Sequence, residues 1–92
     1  MYKLVYTKKA REHRFFWHKS GNKSIQDKLQ KLIDSLEENP YKGVGKPEKL
    51  KHEYQGFWSR RIDRGHRIIY EIVEEEKTIY IHRLKGHYDK LK

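Results

Sequence analysis

The chain has no cysteine, only two prolines and six glycines, and no apolar run approaching the length of a membrane span. Without cysteine there is neither a disulfide nor a thiolate metal site, and this lack is neutral to residence in the cytoplasm. Without roughly 20 successive apolar residues no segment can cross a bilayer, and the first residues lack a signal-peptide core. A soluble, cytoplasmic protein is expected. Acidic residues are scarce too: 13 Asp and Glu face 22 Lys and Arg, for a formal net charge of +9. That excess selects a polyanionic partner, nucleic acid before any other. An anionic membrane surface is the rival, but no stretch sets a clean apolar face against a basic one.

Hydrophobic residues make up 35% of the 92 positions and charged residues 38%, which leaves room for one small core and one domain over residues 1–92. Seven Tyr, three Phe and two Trp compensate by burying much area per residue. Tyr2 to Tyr6 alternates as a short strand. Thr7 can cap a helix running to about Lys19, with Ala10, Phe16 and Trp17 as a thin apolar stripe, Phe15 beside them and Gly21-Asn22 as its end. A second helix starts at a capping box of Ser24 and Asp27. It carries Ile25, Leu29, Leu32, Ile33 and Leu36 on one face and stops at Asn39-Pro40. Tyr41 to Gln55 reads as loop. Strands follow at Phe57–Ile62, His66–Val73 and Thr78–Leu84, joined by turns short enough for antiparallel hairpins. The order β-α-α-β-β-β predicts a compact α+β domain, with two helices packed on one face of a mostly antiparallel, twisted sheet.

Several side chains could do chemistry. The six histidines offer no metal spacing: His13 and His18, the closest helical pair, diverge around the helix. No metal site and no cofactor is expected. Gly43-Val44-Gly45-Lys46-Pro47 lacks the Gly-Lys-Ser/Thr ending of a phosphate loop, so its glycines are read as letting the loop bend its basic side chains toward an anion. Glu48, among Lys46, Lys49 and Lys51, is either a solvated loop residue balancing those lysines or a general base that they keep ionised but weaken. Arg67 is either a solvent-side partner of Glu71, which shares its strand face, or a planar fork for phosphate oxygens. Arg61 shares a face with Phe57 and Ser59. His87 and Tyr88, after Gly86, are exposed bystanders or a proton donor with a stacking partner. Trp17 and Trp58 are read as core.

The stretch from Gly43 to Tyr70, GVGKPEKLKHEYQGFWSRRIDRGHRIIY, together with the late Gly86-His87-Tyr88, resembles the YoeB/Txe toxins of the RelE superfamily. The resemblance is specific from about residue 43 to 88; the first half matches only in its β-α-α pattern. It implies the RelE-like fold and a ribosome-dependent, metal-independent mRNA endonuclease acting in the ribosomal A site. Glu48 would be the general base, Arg67 the clamp on the scissile phosphate, and His87 the general acid with Tyr88 beside it. Lys51 and Arg61 match basic positions that hold RNA, with Lys46 and Lys49 flanking. Products would carry a 2′,3′-cyclic phosphate and a 5′-hydroxyl. It further implies a cognate acidic antitoxin of the YefM/Axe kind, in a family that includes toxins that dimerise. One departure is Asp89-Lys90-Leu91-Lys92, which follow a His-Tyr where close relatives often end. The alternative is a non-catalytic module on the same fold, an RNA binder or a ParE-like topoisomerase inhibitor, which has no need of the Glu48, Arg67 and His87 set.

Overall fold

The computed structural model describes residues 1–87, so Tyr88 and the Asp89–Lys92 tail lie outside the described residues. The chain runs β1 (Lys3–Tyr6), α1 (Lys8–Ser20), α2 (Lys23–Glu38), β2 (Glu48–Lys49), β3 (Phe57–Arg61), β4 (Arg67–Val73) and β5 (Thr78–Arg83). The five strands form one sheet in the order β1-β5-β4-β3-β2. Neighbours joined by short connections, β2–β3, β3–β4 and β4–β5, pair antiparallel. Two helices separate β1 from the rest of the sheet, and it returns parallel to β5. The expected α+β architecture holds, extended by the two-residue strand β2 within what reads in sequence as loop.

Thr7 caps α1 as expected, its hydroxyl accepting from the Ala10 amide at 3.2 Å. Gly21 closes the helix in the left-handed region, φ 72°, which favours glycine. The thin apolar stripe has a different composition from the one expected. Ala10, His13 and Trp17, spaced by three and four, face inward, whereas Phe16 is half exposed and Phe15 more so. The third member of the buried face is a polar residue, which a count of apolar side chains misses. In α2 the cap is Asn22, whose Oδ1 accepts from the Ile25 amide at 3.1 Å; Ser24 and Asp27 lie inside the helix rather than at its start. Asparagine one residue after a left-handed glycine lets the chain turn and re-enter a helix with no further linker.

Both helices cover one face of the sheet. Leu29, Leu32 and Leu36 of α2 and Ala10 and Trp17 of α1 pack with Ile68, Tyr70, Ile79 and Ile81, and Ile33 is only partly buried. Each such apolar side chain contributes about 1.5–3 kcal/mol of burial. Trp58 is partly buried at the edge of this core, its ring meeting Tyr41 edge-on at 5.6 Å.

Among the described residues, one charge lies inside. Arg60 is wholly buried on the helix-covered face, and its guanidinium donates five hydrogen bonds: to Ser35 Oγ, Tyr70 Oη and the carbonyls of Asn39, Lys42 and Val44. Tyr70 Oη in turn donates to the Pro40 carbonyl at 2.8 Å. Burial raises the Tyr70 phenol above its usual pKa, with Arg60 pulling the other way. This hub folds residues 39–45 onto the core and explains the glycines there. A Cβ on Gly43 would strike Ser35 Oγ, and one on Gly45 would lie 2.6 Å from Leu32 Cδ2. The glycines let the loop lie against α2 and β3 and so serve packing.

Candidate active site on the open sheet face

Register decides which side chains share the uncovered face. Glu48 stands opposite Ser59, and Arg61 stands opposite Arg67. Residues directly opposite in an antiparallel pair project to one side, as do alternate residues along a strand. Glu48, Ser59, Arg61 and Arg67 therefore share one face, away from the helices. Arg67 Nη1 donates to Ser59 Oγ at 3.1 Å and lies 3.7 Å from Glu48 Oε1. The Arg67 side chain is mostly covered and that of Glu48 is 58% exposed, so the ion pair is open to a ligand from the carboxylate side. Glu71 is not the partner of Arg67: it sits 3.3 Å from His82 Nε2, under a Phe57 ring stacked on that imidazole.

Two arginines directly opposite one another repel, and such a pair costs a sheet stability in the absence of an anion. Strands β3 and β4 hold Arg61 and Arg67 in that relation, with the Glu48 carboxylate 3.7 Å from Arg67. Residues 48–54 line a hollow that includes Glu48, Lys51 and a 3-10 turn, His52–Tyr54. Lys46 is exposed in the left-handed region at φ 52°, turning the chain through Pro47 into β2. Lys49 does not share the face of Glu48. It stands opposite Trp58, on the other side of the sheet.

The segment bearing His87 is tied to both α1 and β4. Leu84 donates its amide to His13 Nδ1 at 3.0 Å and accepts from Trp17 Nε1 at 2.8 Å. Gly86 donates its amide to His66 Nδ1 at 2.9 Å, and its carbonyl accepts from the Arg67 amide at 3.0 Å. His87 thus follows the residue paired with the Arg67 main chain. Burial, then the cations Arg83, Lys85 and Lys9, lowers the His13 pKa from 6.5 to about 4, with Glu12 opposing, so the ring is neutral and able to accept. A register shift between Ile69 and Tyr70 on β4 leaves His82 as an extra residue just before this segment.

The structure brings Glu48, Arg67 and Arg61 together and sets the backbone of His87 beside Arg67, while Tyr88 falls outside the described residues. Ser59, His13 and His66 escape sequence reasoning: a serine on a strand and two histidines without ligand spacing give no signal until register pairs them. Among the described residues no three His, Cys, Asp or Glu side chains converge as a metal site, and no helix is long and apolar enough to cross a membrane.

Residues 6–88 match the model of a YoeB-like toxin of bacterial type II toxin–antitoxin systems. Toxin YoeB of Escherichia coli K12 is 35% identical over 86 residues, covering 94% of this chain and 99% of that one. Among solved structures, a YoeB/ParE toxin from Agrobacterium tumefaciens superposes with a TM-score of 0.86 at 32% identity, covering 94% and 99% of the two chains. A YoeB–YefM complex from Staphylococcus aureus gives 0.77 at 32% identity, covering 96% and 99%. A YoeB dimer from that organism gives 0.78 at 32% identity, covering 95% and 98%. This chain belongs to the YoeB-like toxin family of bacterial type II toxin–antitoxin systems.

Proposed function

We propose that the chain is a ribosome-dependent endoribonuclease that cuts mRNA in the A site without a metal ion. The observation that carries this reading is the cross-strand grouping of Glu48, Arg61 and Arg67 on the open face, one carboxylate beside two guanidinium groups. Incoming phosphate competes with Glu48 for the fork of Arg67, which releases the carboxylate from its ion pair. Glu48 takes the proton of the ribose 2′-hydroxyl, and the 2′-oxygen attacks phosphorus. Arg67 and Arg61 offset the extra negative charge of the pentacoordinate transition state. The bond from phosphorus to the 5′-oxygen breaks as His87 donates a proton to that oxygen, leaving a 2′,3′-cyclic phosphate and a 5′-hydroxyl. Tyr88 is assigned to stack on a base or bond a phosphate, and Lys46 and Lys51 to hold the RNA backbone, while Lys49, on the other side of the sheet, is left out of the site.

The ribosome orients the mRNA, so the free protein is a poor nuclease. The cytoplasm, where ribosomes work, is its place of action. The partner that silences it is an acidic antitoxin segment that folds over the basic face, in line with the net charge of +9 and with the YefM complex of the Staphylococcus relative. Self-association is proposed on the model of the dimeric relative.

The test is programmed ribosomes in EDTA with the mRNA ends mapped. Cleavage with cyclic phosphate ends is expected, and a 2′-deoxy nucleotide at the cut should abolish it. Intact mRNA under these conditions would sink the reading and favour a binder or a topoisomerase inhibitor. Glu48→Gln and His87→Gln variants that cleave at the parent rate would instead sink the assignment of roles.

A further inference from the structure

Leu84 and Gly86 each have both main-chain polar groups bound from outside their own segment, an unusual outlay for three residues past the end of a strand. From α1, His13 Nδ1 accepts the Leu84 amide and Trp17 Nε1 donates to the Leu84 carbonyl. On the β4 side, His66 Nδ1 accepts the Gly86 amide while the Arg67 amide donates to the Gly86 carbonyl. The two anchors also touch each other, with the Trp17 and His66 rings edge to face at 4.9 Å. Gly86 itself sits at φ 81°, which turns the chain immediately before His87.

We propose that His13, Trp17 and His66 are positioning residues that fix His87 at the Arg67 end of the site. The proposal rests on the nuclease reading for its catalytic consequence, but its geometric content stands without it. Moving the 84–86 segment along the strand, or rotating it, breaks four hydrogen bonds at once. The amide and carbonyl of Gly86 are read by consecutive residues, His66 and Arg67. The position of His87 is thereby referenced to the same strand end that carries the phosphate clamp. Two of the six histidines accept a main-chain amide at Nδ1, so that nitrogen of each ring is taken up by the 84–86 segment. The arrangement holds a donor at a set distance from a leaving oxygen, where a displacement of about 1 Å can cost on the order of a hundredfold in rate.

The experiment uses the full chain with His66→Phe, which keeps a ring against Trp17 and loses the acceptor. His66→Asn supplies Oδ1 as a replacement acceptor. The paired variants His13→Leu and His13→Asn apply the same logic to Leu84. Single-turnover cleavage on programmed ribosomes separates the rate constant at saturation from half-saturation, and 15N relaxation reports the order of the His87 amide. His66→Phe and His13→Leu are expected to lower the saturated rate about tenfold or more, leave half-saturation within about twofold, and loosen the His87 amide, with both Asn variants recovering most of the loss. If His66→Phe does not fold, Trp17→Phe, which removes one donor and keeps an aromatic ring, is expected to show the same split at smaller amplitude. Variants with an ordered His87 and the parent rate would overturn the proposal, as would a parent whose His87 amide is already mobile on the nanosecond scale. Should the parent not cleave at all, the nuclease reading falls, and the relaxation comparison still decides whether these residues fix His87.

Discussion

Arg60 and Arg61 adjoin in β3 and face opposite sides of the sheet, and the contrast separates the structural half of the molecule from the chemical half. Arg60 points to the helices, loses all contact with solvent, and is neutralised by no carboxylate among the described residues; three carbonyls and two hydroxyls satisfy its fork. Arg61 points to the open face, is exposed, and stands across from Arg67 with Glu48 nearby. A buried guanidinium is worth keeping only when every donor is satisfied, because each unmet buried partner costs about 1–3 kcal/mol. An exposed pair of guanidinium groups is worth keeping when an anion is to be bound. The same residue type serves packing on one side of a strand and electrostatics on the other.

The comparison can be broken in five places. Arg67→Ala should lower ribosomal cleavage by roughly 100- to 1,000-fold with little change in thermal midpoint, measured by single-turnover cleavage and melting together. A large fall in stability would mean that Arg67 belongs with Arg60. Arg60→Met should cost about 3–5 kcal/mol in urea unfolding, and Arg60→Lys should not recover it, since one ammonium cannot reach five partners. Gly45→Ala tests the seat of the same hub: with φ 87° and Leu32 Cδ2 at 2.6 Å from the added carbon, a loss of roughly 1–3 kcal/mol is expected, read from the urea midpoint.

Acid should act at two places in separate windows, His13 beneath α1 and Glu74 at the β4–β5 turn. The folded pKa of His13 is depressed from 6.5 to about 4, so its contribution is complete above pH 6.5 and is lost as pH falls toward 4. Glu74 is held down to about 2 from 4.5 by hydrogen bonds from Lys77, Tyr41 and Tyr2, so its contribution is lost only below pH 4.5 and is screened by salt at this exposed site. Urea midpoints of the parent should therefore drop between pH 6.5 and 4.5 relative to His13→Asn, which keeps an acceptor and removes the titration. Parallel curves would mean that His13 is not the titrating anchor. The smallest effect is expected for Arg61→Gln. Relief of the cross-strand repulsion should raise stability by roughly 0.2–1 kcal/mol, while the salt dependence of RNA binding loses about one counterion. A loss of stability would show that the arginine pair is not strained in the free protein.

Much of this was legible in order along the chain, and the misreadings have common causes. The apolar period of Ile25, Leu29, Leu32 and Leu36 marks α2 without ambiguity, because four large side chains repeat on one face. The inward face of α1 was harder to see, since one of its three buried members is His13 and an exposed Phe16 takes its place in any apolar count. The capping box at Ser24 and Asp27 lost to Asn22, which already satisfied the Ile25 amide. Strand β2 was hidden because two residues carry no period. Its register is nonetheless what puts Glu48 opposite Ser59 and Lys49 on the other face, dividing a run of charged neighbours between the open face and the helix-covered one.

Local chemistry by itself determined the excess of positive charge, the order of the main helices and strands, and the family whose motifs run from Gly43 to Tyr88, because charge balance, periodicity and motif spacing are properties of neighbours along the chain. Which arginine is buried, which carboxylate meets Arg67, and which histidines anchor the segment before His87 were decided only by the tertiary structure. These depend on the pairing of strands far apart in sequence, where a shift of one residue would exchange the two faces of the sheet and with them the packing side and the chemical side.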